Sequence, residues 1–433
     1  MVACFRPSVY SQGYVLMTVF DTLLAPVMPI LQQIETGRKK HHNEQFLWID
    51  FVRILVFYFT KRCGSLNALI VALENADPAL GVLAVPKMTL SDAFRRFPSI
   101  LLRQALTSLV ATLNLPENPE LALIGPVRAG DGSEFPVVGG MTLPRSTERV
   151  PSMKLHLIFN LNQMITADFL VDSANSSERS SIRTMLQAGV TYVLDRGYMA
   201  FDLVRDIIGA QAFVVMRAYN NIVVETVKEL PVTLPDSVVG HWIHVRDRIV
   251  QSSHPDAVGI FFRLVECTVG TTTYRLITNR TDITTFQVIV LYAYRWQIEL
   301  IFRFFKHTLN GIEVITQSKK GMDNFFAAMF LTAILHLYFK IDCLEQGGHL
   351  PPTTPDLPHG PPDNRAQIST DSTRPTAHLA IAVLMARMND KLALFWKIPK
   401  HWLSTVSDYL GRSFTPFVRD IFNKRALSCC RVQ

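Results

Sequence analysis

Between residues 153 and 216 the apolar residues repeatedly change their spacing, and the order of those changes constrains the fold more than any other feature. In Met153-Lys-Leu-His-Leu-Ile-Phe-Asn-Leu161, Met153, Leu155, Leu157, Phe159 and Leu161 alternate with other residues. That is the period of a strand with one buried face. Ile165 to Val171 reads as a second strand, with Asn160-Leu-Asn162 as the hairpin turn region between them. Ser177 to Ala188 has helical spacing and stops at Gly189, a C-cap residue. Val190 to Leu194 is a short apolar strand ending at Asp195, Met199 to Ala210 reads as a helix, and Ala212 to Met216 as another strand. A hairpin followed by helix, strand, helix and strand predicts a mixed α/β sheet with helices packed on it.

The flanks have a different texture. Residues 1–110 read as a helical N-terminal region. Asp21 and Ser65 stand before apolar runs and are predicted N-caps, because their side-chain oxygens can accept from free first-turn N–H groups. Thr89 to Phe97 meets Pro98, a helix boundary. Residues 111–218 read as the first part of an α/β core. Residues 219–280 carry the strand-like runs NNIVVETV, HWIHVRDRIV, GIFFRLVECTV and TTYRLIT, and predict a β-rich insertion. Residues 281–345 resume the core, with one long helix predicted over Thr284 to Leu309. Residues 346–378 hold seven prolines and read as a linker, and 379–433 as a basic helical tail.

Composition excludes several classes. A chain of 433 residues with 48% hydrophobic and only 18% charged residues is not disordered. Six cysteines with no C-x-x-C pair give neither a disulfide scaffold nor a zinc ribbon, and scattered thiols predict a reducing cytoplasm. Phe46 to Thr60 and Phe325 to Phe339 fall short of the roughly 20 apolar residues that cross a bilayer. They are read as buried helices, with no membrane partner. The N-terminus shows no secretory pattern. With 43 Lys and Arg against 36 Asp and Glu, the +7 charge permits a polyanionic partner without establishing one.

Three motifs carry candidate chemistry. Tyr292, Arg295, Glu299 and Lys306 are spaced i, i+3, i+7 and i+14, so on a helix they fall on one stripe of an otherwise apolar segment. The stripe reads either as a solvated face with an i,i+4 ion pair, or as a metal-binding carboxylate flanked by phosphate-binding cations. Asp195-Arg-Gly-Tyr198 puts a carboxylate at the C-terminal edge of a strand, where ligand sites of open α/β sheets lie; the alternative is a helix cap. Asp131-Gly-Ser-Glu-Phe-Pro136 is on its own a turn signal.

Together these residues resemble the DDE transposases of insertion-sequence family four, whose signature is Y-x2-R-x3-E-x6-K. Tyr292, Arg295, Glu299 and Lys306 match it at every position. DRGY at 195–198 is similar to the family's second-Asp motif and DGSEFP at 131–136 to its first. KLHL at 154–157 resembles the following strand, and TLSDAFRRFP at 89–98 the N-terminal region. The resemblance spans roughly residues 20 to 345. It implies an RNase H-like mixed sheet with flanking helices, interrupted by a β-rich insertion, plus a helical N-terminal domain and a helical C-terminal tail. It also implies cut-and-paste DNA transposition, with Asp131, Asp195 and Glu299 as catalytic residues and ligands of two Mg²⁺ ions, for which Mn²⁺ can substitute. Two such ions activate the attacking oxygen and stabilise the leaving one in a phosphoryl transfer. The implied partners are double-stranded DNA, both terminal inverted repeats and target, and a second copy of the chain in the DNA complex.

Tyr292, Arg295 and Lys306 would then hold DNA near the cleaved end. Arg95 and Arg96 are candidates for end recognition, and Arg38-Lys39-Lys40-His41-His42 for phosphate contact or a solvated loop. One departure concerns Asp131: Ile124 to Gly130 is not a clean apolar strand, and Glu134 and Asp172 are the nearest alternative carboxylates. Two other readings remain, an inactive DNA-binding descendant and a metal-dependent nuclease of the same fold.

Overall fold

The alternating stretch at 153–161 forms the second strand of one nine-stranded mixed sheet. The computed structural model describes residues 19–345 apart from 114, 116, 138–151, 233, 236–241, 270–271 and 310–313. The predicted linker 346–378 and tail 379–433 lie outside the described residues. Six helices come first: α1 (Val19–Leu24), α2 (Met28–Gly37), α3 (Trp48–Lys61), α4 (Leu66–Glu74), α5 (Lys87–Arg96) and α6 (Ser99–Thr112), with the short α7 (Pro119–Ala122) leading into the sheet. Then follow β1 (Val127–Pro136), β2 (Ser152–Asn160), β3 (Ile165–Ser173), α8 (Glu178–Arg183), β4 (Thr191–Leu194), α9 (Phe201–Gly209) and β5 (Phe213–Arg217). The β-rich stretch supplies β6 (Glu225–Glu229), β7 (Ile243–Gln251), β8 (Phe262–Val269) and β9 (Thr272–Thr278). Three helices close the described chain: α10 (Thr285–Tyr294), α11 (Trp296–Arg303) and α12 (Lys319–Glu345).

The strand order is β3-β2-β1-β4-β5-β9-β8-β7-β6. β1, β2 and β3 form an antiparallel meander, while β1, β4 and β5 run parallel. Parallel neighbours need a crossover, which the β2–β3 hairpin and α8 provide between β1 and β4. β9 pairs antiparallel with β5, so the β-rich stretch continues the same sheet. Its side chains divide between the two faces as those of the other strands do: Val265, Cys267 and Leu276 join one core, Phe262, Leu264 and Ile277 the other.

Both faces are covered. On one, α8 and α9 pack Ile182, Leu203, Val204 and Ile207 against Ile158, Tyr192, Leu194 and Val214. On the other, the N-terminal helices and α10 to α12 share a single core with Met153, Leu155, Leu157 and Phe159. β2 is therefore buried on both sides rather than on one, and its even positions His156 and Ile158 are buried too.

Several local expectations change. Ser65 caps α4, accepting from the Ala68 N–H at 3.1 Å. Asp21 instead lies inside the first turn of α1, because Pro26 splits the apolar run into two helices. Its carboxylate sits 3.4 Å from the Arg53 guanidinium. The helix predicted to Ala188 ends at Arg183, although Gly189 does take a left-handed φ of +75°. The helix predicted over Thr284 to Leu309 is capped by Thr284 and Gln287 as a capping box, but it is interrupted at Arg295 and widens into a π-helical turn at Phe304–Thr308. Phe325 to Phe339 belongs to the 27-residue α12, which is long and apolar enough to cross a membrane; 78% of its apolar window is buried against the rest of the protein, so packing and not length accounts for it.

A buried ion pair ties the β-rich stretch to α10. The Arg263 guanidinium donates to both carboxylate oxygens of Asp247 at 2.9 and 2.6 Å and to the Ile283 carbonyl at 2.5 Å. The Thr285 hydroxyl donates to the same carboxylate at 2.7 Å. Removing one partner strands a buried charge, which costs about 3–5 kcal/mol. Arg263→Ala is expected to lower the unfolding free energy by that order in urea titration, and an unchanged midpoint would show the pair to be dispensable.

Candidate active site

The motif around Asp131 is a strand whose glycines admit close neighbours. A Cβ on Gly130 would come within 2.9 Å of the Leu194 side chain and 3.0 Å of that of Ile182; one on Gly132 would meet Glu178 at 3.0 Å and Lys154 at 3.1 Å. Both positions thus let α8 and its neighbours lie directly on β1. Because successive residues of a strand face opposite ways, Asp131 points to the other face, with Val127, Ala129 and Phe135 of the large core. The run from Val127 reads as a poor apolar strand because half of it is shaped for close approach rather than burial of side chains.

Register brings the second carboxylate alongside. β1 and β4 pair in parallel with Val127 opposite Thr191 and Gly130 opposite Leu194. Asp131 and Asp195 are the next residues of the two chains, about 4.8 Å apart at neighbouring-strand spacing. Asp195 has no capping hydrogen bond to the turn that follows, so the capping alternative does not hold. Its Oδ1 accepts instead from the Tyr292 hydroxyl at 3.3 Å.

Glu299 arrives from α11. Arg295, at the junction of α10 and α11, is only 3% exposed. Its Nη2 donates to Glu299 Oε1 at 2.7 Å, and its Nε lies 3.9 Å from Asp195 Oδ1. The i,i+4 pair is therefore real, but it is buried and shared with a second carboxylate rather than solvated. Burial disfavours the charged guanidinium, yet Tyr292, Asp195 and Glu299 outweigh it and hold Arg295 above its ordinary range.

Asp131 is held the other way. Burial pushes its carboxyl up from 3.8 to about 6, opposed by the Gly132 N–H at 2.8 Å and by Arg295, and reinforced by Glu178 and Glu299. Tyr198 of the DRGY turn is raised well above 10, first by burial and then by Asp131, Glu178 and Asp195. Glu178 is thus a fourth carboxylate at this site, and its Oε1 pairs with Lys154 Nζ at 2.8 Å. In the sequence it follows Ser177 at a helix start, where an acid is ordinary, so no signal marked it.

Other expected residues fall elsewhere. The π turn takes Lys306 off the stripe; its ammonium lies 4.7 Å from the Phe135 ring at the far end of β1, with burial lowering its pKa and Glu134 raising it. Asp172 lies on β3 opposite Lys154, its carboxylate accepting from the Ser173 N–H. Arg95 is exposed on the last turn of α5, while Arg96 donates to the Phe46 carbonyl and packs over Phe97. Arg38 is locked in buried pairs with Glu35 and Glu44, and Lys40 pairs with Glu35, which removes both from phosphate contact.

Among the described residues, no three His, Cys, Asp or Glu side chains stand close enough to hold a metal ion as they are. Arg295 supplies the positive charge instead. The donor set nevertheless fits a hard divalent cation in kind, since it consists of carboxylate oxygens. Asp131, whose carboxyl is held above its ordinary range by burial, gains most from an added cation.

Residues 126–337 match the family model described as the transposase DDE domain. The chain is 24% identical over 287 residues to "Putative transposase y4zB" of Sinorhizobium fredii, covering 65% of this chain and 79% of that protein. The endonuclease V structure from Bacillus subtilis aligns at 9% identity with a TM-score of 0.21, over 57% of this chain and 96% of that one.

The raised Asp131 pKa has a defined sign. Below pH 3.8 the group is protonated folded and unfolded and contributes nothing. Between 3.8 and about 6 only the unfolded chain loses the proton, so stability falls, by on the order of 2–3 kcal/mol once pH exceeds 6. Asp131→Asn, without divalent ions, is expected to raise the unfolding free energy by that order at pH 7 and to leave it unchanged near pH 3.5. Urea titrations at the two pH values check this, and equal stabilities at pH 7 would contradict it.

Proposed function

We propose that this chain is a DDE transposase of the insertion-sequence family four type, which cleaves the ends of a DNA element and joins the freed 3′-hydroxyls to target DNA. The observation that carries the reading is that Asp131 and Asp195 each follow directly on the last paired residues, Gly130 and Leu194, of adjacent parallel strands, with Glu299 joined to Asp195 through Arg295. Only a fold that pairs β1 with β4 brings residues 64 positions apart together this way. The order of the first five strands, with an antiparallel meander beside parallel β4 and β5, supports an RNase H-like core interrupted by β6 to β9 before the Glu299 helix.

Asp131, Asp195 and Glu299 would hold two Mg²⁺ ions, which when bound supply a Lewis acid at the phosphate and an activated attacking oxygen. The chain's own groups do the rest. The Tyr292 hydroxyl orients Asp195. Arg295 pairs with Glu299 and lies beside Asp195, and its planar fork suits a phosphate once those carboxylates take another cation. Lys306, without a carboxylate partner at ion-pairing distance among the described residues, is positioned to hold a backbone phosphate beyond the cleaved bond. Joining two ends calls for two copies of the chain on the DNA. Buried Cys63 and Cys267 are free thiols, in keeping with a reducing cytoplasm.

The test is Mg²⁺-dependent cleavage and strand transfer on a duplex carrying the boundary of the element that encodes the chain. Asp195→Asn and Glu299→Gln are each expected to lower cleavage by more than about 100-fold, beyond the ~10–100-fold cost of losing an outer-shell partner of a metal, with DNA binding retained. Full cleavage by either variant would overturn the assignment. Cleavage without joining by the parent chain would favour the nuclease reading, and binding without cleavage the inactive descendant.

A further inference from the structure

Around the π turn beyond Glu299 a group of basic side chains makes no ion pair, whereas Arg295 and Lys154 at the carboxylates are paired. Across the sheet, Arg183 is paired with Asp202 and Asp206, and in the β-rich stretch Arg246 is paired with Glu229 and Arg248 with Glu266. By contrast, Lys61, Arg62, Arg303, Lys306 and His307 make no ion pair among the described residues. All but Lys306 are exposed, and Lys306 is half-buried.

These five come from two parts of the chain that the fold joins. α3 ends at Lys61, and Arg62 caps it in the left-handed conformation at φ 60°. From there the Arg62 guanidinium donates to the His307 carbonyl at 2.9 Å. That bond sets the basic end of α3 against the π turn that carries Lys306 and His307, with Arg303 one turn before. At about 1.5 Å per residue, Arg303 and His307 lie roughly 6 and 12 Å along the helix from Glu299. A duplex strand advances about 3.4 Å per nucleotide, so those distances correspond to roughly two to four nucleotides.

We propose that Lys61, Arg62, Arg303 and His307 form, with Lys306, a ridge that binds the DNA backbone two to four nucleotides from the cleaved bond. The inference rests on the function proposed above and adds a binding surface to which the N-terminal helices contribute. Charge complementarity selects the occupant: Lys61, Arg62, Arg303 and Lys306, with the hydrogen-bonding His307 among them, fit a phosphate chain leading into the acidic centre. The Arg62–His307 bond makes the ridge part of the folded body, so its spacing from Glu299 is fixed.

The experiment uses the full chain in EDTA, so that binding is read without cleavage, and a 40-base-pair duplex containing the element boundary. Each lost phosphate contact lowers the slope of log affinity against log salt by about 0.9. Lys61→Ala/Arg303→Ala is therefore expected to reduce the slope by about 2 and the affinity at 0.1 M salt by about 10-fold or more. Lys61→Arg/Arg303→Lys, which keeps both charges, should bind like the parent. Neutral methylphosphonates placed two to four nucleotides from the cleaved bond should weaken the parent more than the alanine variant, which keeps only part of the ridge. A parental slope in the alanine variant, or equal sensitivity of both proteins to those methylphosphonates, would overturn the ridge while leaving cleavage by the parent as support for the function. If the parent neither binds nor cuts the boundary duplex, both fall.

Discussion

The parallel pairing of β1 with β4 is the constraint from which the rest of the site follows. β1 is short of apolar side chains at the point that matters, and the two strands are held in register by what lies over them. On one face α8 approaches β1 so closely that a Cβ on Gly130 or Gly132 would press on the Leu194, Ile182, Glu178 and Lys154 side chains. On the other, Val127, Ala129 and Phe135 enter the core shared with the N-terminal helices and α12. A slip of one residue would carry Asp131 to the α8 face and those apolar groups away from their core. The register that aligns Asp131 with Asp195 is thus enforced by burial on both sides of one strand.

Given that alignment, the electrostatics of the site follow from burial and proximity. Two aspartates at neighbouring strand positions, with Glu178 and Glu299 near, form an acidic group inside a folded protein. The fold answers with one buried guanidinium, whose donors reach Glu299 and Asp195 in different directions. A lysine at that position would present a single point of charge instead of a planar fork. Asp131 is displaced upward first by burial, and the nearby Glu178 and Glu299 add to that displacement while Arg295 opposes it. The site is therefore built to accept further positive charge, and the acids themselves impose that requirement.

Much of this was legible in the sequence, and the gaps have physical causes. The β2 alternation, the Ser65 cap and the strand leading to Asp195 are local patterns, and the structure contains them. The helix signature was legible as a pattern of types, but its stripe assumed one straight α-helix. The π turn at 304–308 falls between Glu299 and Lys306 and sets Lys306 apart from the other three residues. β1 was obscure because its glycines answer to α8, 50 residues downstream, and no local pattern encodes that contact. The pairing of β9 with β5, which continues the sheet into the β-rich stretch, was likewise not legible, because strand pairing is a long-range property.

The N-terminal helices show how far such long-range contacts organise the chain. They form one core with α12 and the sheet. Arg103 stacks on Phe169 at 3.7 Å and pairs with Asp323, while Asn324 donates to the Phe97 carbonyl. Groups that read as free cations in the sequence, Arg38 and Arg96, are consumed in holding this assembly together. The +7 charge therefore says little until each cation is sorted by its partner. Sorting leaves a set of unpaired charges beside Glu299, drawn from both ends of the described chain and joined by one bond from Arg62 to a backbone carbonyl. A helical region whose only task was to recognise DNA at a distance would not need that bond. Its presence makes the N-terminal helices part of the wall that leads to the carboxylates.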